Sequence, residues 1–225
     1  MTMPYYVAPE QVMKDRADYA RKGIAQGRSL VALSCDDGIL ICAENPSRTL
    51  HKVSEIYDRI AFAGVGRYSE FEALRILGVR QADIRGYTYS REDVDARSLA
   101  NAYAQTLHQV FTHEMKPMEV EILVTEVGAD ADGDQLFRIR YDGFVIDERK
   151  LAVLGGDPDT VADRLRPNLA DGMELGPALR AAVDALAGPE RTLGETDLEV
   201  AVLSRTDDRR AFRRITDGEL SELLG

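Results

Sequence analysis

Residues 29–45 read Ser-Leu-Val-Ala-Leu-Ser-Cys-Asp-Asp-Gly-Ile-Leu-Ile-Cys-Ala-Glu-Asn. Two apolar, β-prone runs flank Asp37-Gly38, a dipeptide that strongly favours a two-residue hairpin turn. A turn there sets Cys35 opposite Leu40 and Cys42 opposite Leu33, so the two cysteines are expected as separate buried thiols and not as a disulfide or a metal pair. Upstream of the hairpin, Met13, Ala17, Ala20 and Ile24 recur at spacings of four, three and four, one face of a helix over about residues 10–25. Pro9 opens that helix where no amide donor is needed, and Gly27 ends it.

Downstream, a second hairpin is expected around Tyr57-Asp58, joining 52–56 to 60–63. Two helices follow, with capping boxes expected at Ser69 with Glu72 and at Ser90 with Asp93. The second carries Leu99, Tyr103, Leu107, Val110 and Phe111 on one side and runs to about Met115. Strand signals resume over 119–127, on both sides of Asp142-Gly143, and over 151–156. A helix opened by Asp157 and Pro158 comes next, then one through Leu179, Val183 and Leu186 that stops at Gly188-Pro189. A last hairpin turns at Asp207-Asp208, and Thr216 with Glu219 opens a short acidic helix. The order is helix, four strands, two helices, four strands, two helices, two strands, helix. Strands grouped between helix pairs exclude alternating parallel units and predict an α+β chain: two mostly antiparallel sheets packed together, with helices outside.

The 225 residues and 24.9 kDa suit one domain with a full core. Hydrophobic residues at 44% and charged residues at 30% exclude a disordered chain, and no run reaches the roughly 18 apolar residues of a membrane helix. A net charge of −11 repels phosphate backbones, so neither nucleic acid nor membrane is expected as a partner. The N-terminus lacks the apolar core of a signal peptide, which with two cysteines predicts a cytoplasmic protein.

Three chemistries can be tested on the residues themselves. Gly64-Val65-Gly66 before a helix resembles the start of a dinucleotide loop, but Ser69 replaces the third glycine and the preceding strand belongs to a hairpin; the plainer reading is a tight turn with close packing. His51, His108 and His113 lack the i, i+4 spacing of a zinc pair and read as ordinary polar positions; neither a metal nor a cofactor is expected. Ser29 at the first strand's entry is the candidate N-terminal nucleophile of a self-processed amidohydrolase, but it is internal and follows a capped helix.

Pro9-Glu10-Gln11, Asp18-Tyr19-Ala20-Arg21-Lys22-Gly23-Ile24, Glu44-Asn45-Pro46-Ser47, Tyr57-Asp58-Arg59, Arg85-Gly86-Tyr87 and Ala104-Gln105-Thr106-Leu107 follow one another in the order of a known family. Across about residues 8–205 the sequence resembles the α subunits of the 20S proteasome core particle, in their actinobacterial form. The resemblance implies the four-layer αββα sandwich of the N-terminal-nucleophile hydrolases with an extra N-terminal helix. It implies a non-catalytic subunit, seven copies of which form a ring over the β subunits that hold the threonine nucleophiles.

It further implies three segments: a gate at 1–9, one domain over 10–215 and an acidic tail at 216–225. Tyr5 and Tyr6 match the segment that closes the axial pore, and Pro9 and Tyr19 match positions that set its turn and arrangement. The family's Tyr-Asp pair near the start is missing here. Lys52 matches the lysine that receives an activator's C-terminal carboxylate between neighbouring α subunits, and Gly66 lines the same pocket. The implied activator is a ring ATPase that delivers unfolded proteins tagged with a small protein modifier. The alternative, from a different class, is the free-standing hydrolase using Ser29.

Overall fold

The two apolar runs of 29–45 do pair, but one residue earlier than the Asp-Gly signal places the turn. In the computed structural model, which describes residues 8–206 and 208–225, β1 (Leu30–Cys35) and β2 (Gly38–Glu44) turn through Asp36 and Asp37. Cys35 faces Gly38, Leu33 faces Leu40 and Val31 faces Cys42, which corrects the expected register by two residues. Gly38 is drawn into β2 because the backbone of a third strand, β9 (Leu198–Ser204), runs beside it. Its φ is +136°, and a β-carbon there would strike the Leu203 carbonyl. Both cysteines are free, buried thiols as expected.

The element order follows the sequence reading: α1 (Pro9–Ala25), β1, β2, β3 (Val53–Tyr57), β4 (Ile60–Gly66), α2 (Tyr68–Thr88), α3 (Ala96–His113), β5 (Val120–Glu126), β6 (Gln135–Ile139), β7 (Val145–Glu148), β8 (Leu151–Leu154), α4 (Pro158–Leu165), α5 (Leu175–Ala187), β9, β10 (Phe212–Arg214) and α6 (Asp217–Leu224). Two five-stranded antiparallel sheets result, ordered β10-β9-β2-β1-β8 and β3-β4-β5-β6-β7. The second hairpin turns at Asp58-Arg59, one residue later than expected, with a bulge near Ile56.

Strand alternation sorts the core into layers. Leu30, Ala32, Ile39, Ile41, Ala43, Ala61, Ala63 and Val65 fill the space between the sheets. The intervening Val31, Leu33, Leu40 and Cys42 meet α4, α5 and α6, whereas Phe62, Ile122 and Val124 meet α2 and α3. The molecule is thus the predicted α+β sandwich in four layers, αββα, and α1 lies across one end through buried Ala20 and Ile24. Met13, expected on that apolar face, is 39% exposed.

Helix starts were the least legible local feature. Arg67 precedes α2 without a side-chain cap, and Ser69 lies inside the helix, where Glu72 pairs with Arg75. Ser90 caps a single 3₁₀ turn, while α3 is capped by Asp95, whose carboxylate accepts from the Ser98 amide at 2.8 Å. Thr216 does cap α6, but Glu219 answers Arg213 at 2.5 Å instead of completing a box. Leu220 of this helix is buried in the same cluster as the α5 side chains.

Candidate carboxylate-binding site at the first strand's entry

Between α1 and β1 the chain passes through Gly27, Arg28 and Ser29 in close company with the end of β4. A β-carbon on Gly27 would stand 3.0 Å from the Gly66 amide nitrogen. Gly66 has φ +101°, with the Glu119 carbonyl packed where a β-carbon would go. Two glycines therefore let two backbones approach where any side chain would part them. Into this corner comes Lys52, the last residue before β3, whose ammonium donates to the Arg28 carbonyl at 2.7 Å. Lys52 thus meets Arg28, and Gly66 meets the neighbouring Gly27, so the one short segment before β1 touches both expected positions. No periodicity or motif pointed to Gly27 as more than a helix stop; its contact with Gly66 spans 39 positions and appears only in the fold.

Burial pushes the Lys52 ammonium down to about 8, against the opposing pull of the Glu44 and Glu199 carboxylates and with a further push from Arg28. Neither carboxylate reaches it directly, because each is already occupied. Glu44, at the end of β2, accepts from Arg28 at 2.5 Å and from Arg191 at 2.9 and 3.2 Å. Glu199, at the start of β9, is held by Arg214 at 2.5 Å. An ammonium carries three donors, and among the described residues one of the three is used. The site is a half-buried cation with spare donors beside two bare backbones, which suits a small carboxylate.

Ser29 is close by, lining a cleft of about 450 Å³ with Arg28, Glu44 and Arg191. Its hydroxyl donates to the Gly155 carbonyl at 3.1 Å, and its amide is part of an unbroken chain from α1. Its own nitrogen is a peptide amide, so Ser29 has no α-amine of its own to act as base.

The remaining site residues fall elsewhere. Tyr19 lies midway along α1, half exposed, with the Lys116 ammonium 5.9 Å from its ring centroid. Lys116 bridges Glu70 at 2.9 Å and Glu119 at 2.8 Å, and Glu119 also binds Arg67 at 2.6 Å, one residue beyond Gly66. Pro9 stands at the far end of α1, about 24 Å from Ala25 at 1.5 Å per residue. Tyr5 and Tyr6 lie outside the described residues. Helix α1 is fixed by Arg16, which donates to the carbonyls of Val110 and Glu114 at the end of α3, and by Arg21, which donates to the Tyr141 hydroxyl. Gly64-Val65-Gly66 is the end of strand β4, paired with Ile122, Glu121 and Val120, and not a turn; of the plainer reading the close packing holds, with Gly64 against the Phe71 ring.

The family model described as "Proteasome subunit" matches residues 24–203. A protein named "Proteasome subunit alpha" from Acidimicrobium ferrooxidans is 60% identical, over 100% of this chain and 97% of its own. Proteins of the same name from Sanguibacter keddieii and Thermomonospora curvata are each 58% identical, over 100% of this chain and 90% and 98% of theirs. With the sandwich, its extra helix and this span of identity together, the chain belongs to the proteasome subunit family, as an α subunit of the actinobacterial kind.

Proposed function

We propose that the chain is the non-catalytic, gate-bearing subunit of a 20S proteasome, and that its Lys52 corner receives the C-terminal carboxylate of an activator. Seven copies form the outer ring over the β subunits, with residues 10–215 as the ring wall and 216–225 as an acidic tail. Residues 1–9, with Tyr5, Tyr6 and Pro9, obstruct the axial entrance, and Tyr19 on α1 contributes to their arrangement. A ring ATPase is the activator, and the cargo is unfolded protein tagged with a small protein modifier.

The observation that carries this reading is the state of the β1 entry. In a working N-terminal-nucleophile enzyme that place holds a freed Ser, Thr or Cys with its α-amine. Here the chain reaches it from α1 without a break through Gln26, Gly27 and Arg28, and Ser29 spends its hydroxyl on Gly155, while Lys52 is left with an ammonium and no nucleophile to serve. A half-buried ammonium with donors to spare beside two glycines is suited to hold a peptide's terminal carboxylate.

In particles assembled with the β subunit, Lys52→Ala is expected to abolish activator-stimulated protein degradation. Unchanged stimulation would remove Lys52 from the docking site. Deleting residues 1–8 is expected to raise small-peptide hydrolysis several-fold without activator, and an unaltered rate would show that the segment does not obstruct the pore. An intact mass near 24.9 kDa agrees with the non-catalytic role. A chain starting at Ser29 would replace it with the self-processed hydrolase.

A further inference from the structure

Glu199 comes from β9, 147 residues away in sequence from Lys52, and is 9% exposed. Its Oε2 accepts the backbone N–H of Lys52 at 2.8 Å and the side-chain amide of Asn45, also at 2.8 Å. Its Oε1 accepts the Val53 N–H at 3.3 Å and Arg214 at 2.5 Å, and faces His51 Nδ1 at 3.3 Å. One carboxylate therefore grips both ends of the 45–53 segment, at Asn45 where it leaves β2 and at Lys52-Val53 where it enters β3. Arg214 closes the grip from β10 by donating its second nitrogen to the Val53 carbonyl at 2.5 Å. Asn45 relays the hold into the loop by donating to the Leu50 carbonyl at 2.8 Å.

We infer that Glu199 is the positioning residue of the Lys52 site: it fixes the backbone that aims the ammonium at the incoming carboxylate and sets a negative charge at the base of that side chain. This rests on the reading of Lys52 as the carboxylate's receptor. The groups facing Lys52 are Glu44 from β2, Arg28 from the segment before β1, and Glu199 from β9. Both carboxylates oppose burial at Lys52, Glu44 the more strongly, but Glu44 spends its oxygens on two arginines, whereas Glu199 alone also holds the backbone of Lys52. Glu199 is paired with Arg214 and His51, and its own backbone bonds lock it at the base of Lys52. Removing its charge frees the strand entry and leaves burial less opposed, so the ammonium deprotonates at a lower pH.

The test uses assembled α–β particles and a fluorescent octapeptide copied from the C-terminus of the same cell's ring ATPase, with its carboxylate free or amidated. Peptide affinity is measured from pH 6.5 to 9.5, and Lys52 acylation by acetic anhydride is followed across the same range by mass spectrometry. Glu199→Gln is expected to move both midpoints down by about one pH unit, which at pH 7.5 takes the charged fraction of Lys52 from about three-quarters to about one-quarter and so weakens the free-carboxylate peptide at least about threefold. Glu199→Asp, which keeps the charge, is expected to hold the midpoints near the parent's.

Weaker binding with both midpoints unmoved would overturn the inference and leave Glu199 a purely structural strut. Unchanged binding would overturn it outright. Where Glu199→Gln fails to assemble, Asn45→Asp offers a second perturbation of the same clamp. It exchanges the amide that Glu199 accepts from for a carboxylate that repels it, and an unchanged Lys52 midpoint there would equally overturn the inference. Peptide binding that survives Lys52→Ala would instead overturn the docking reading itself, and so separates the two failures.

Discussion

At the end of the sandwich where β1 finishes, the fully buried Asp134 carboxylate takes both arms of Arg205 at 3.0 and 3.1 Å, the Ser34 hydroxyl at 2.5 Å and the Gly128 amide at 2.9 Å. Arg205 uses its other donors on the carbonyls of Cys35, Asp36 and Gly128. At the end where β1 starts, the Lys52 ammonium makes one bond to a carbonyl and is pushed down to about 8. The first group of charges is saturated and ties loops from both sheets together. The second is left short of partners, at a cost to its own ionisation. A buried charge with every valence used belongs to the fold, and one with donors to spare is available to a ligand.

The largest way to break this contrast is Arg205→Ala, which strands the Asp134 carboxylate in the interior. Removing one partner of a buried pair costs about 3–5 kcal/mol, and denaturant unfolding of the isolated chain would read it. A loss below about 1 kcal/mol would mean that the pair is no staple. The smallest expected effect sharpens the other side. Lys52→Met should change stability at pH 7.5 by no more than about 1 kcal/mol, because the side chain is half-buried and its ion pairing is indirect.

The sign of its pH dependence is fixed. The folded ammonium releases its proton near pH 8 and the unfolded one near 10.5, so between those values the unfolded chain holds more protons. Lys52 therefore makes the parent's stability rise from pH 8 towards 10.5, and Lys52→Met should remove that rise. Equal pH slopes for the two proteins would contradict the desolvated ammonium.

The layer order was legible because apolar runs and helix stripes are local. The β1–β2 turn was misplaced because a third strand decides it: β9 pulls Gly38 into the ladder, which no two-residue signal contains. The error moved the register by two residues, and since side chains alternate with period two, every core residue kept its predicted face. The cap of α3 was missed for a similar reason. Glu126, thirty residues away, accepts the Ala96 amide at 2.8 Å and helps Asp95 fix the start there. In the site, Lys52 and Gly66 were reached through resemblance, while Glu199 and the Asp134–Arg205 pair left no signal. The partners that define them lie far off in sequence, Asp134 from Arg205 by 71 positions and Glu199 from Lys52 by 147, and a lone acid in so acidic a chain draws no notice.

The strands on the rims of both sheets are short. β10, β8, β7 and β3 run three to five residues, against five to seven for the strands they flank. They carry Arg213, Arg214, Asp147, Glu148 and Glu55. Such rims offer little template for another chain's backbone, which protects the molecule from open-ended stacking. In the proposed ring, neighbouring copies then recognise one another through side chains and not by adding strands, so the geometry of the closed assembly is set by individual residues and is open to change one substitution at a time.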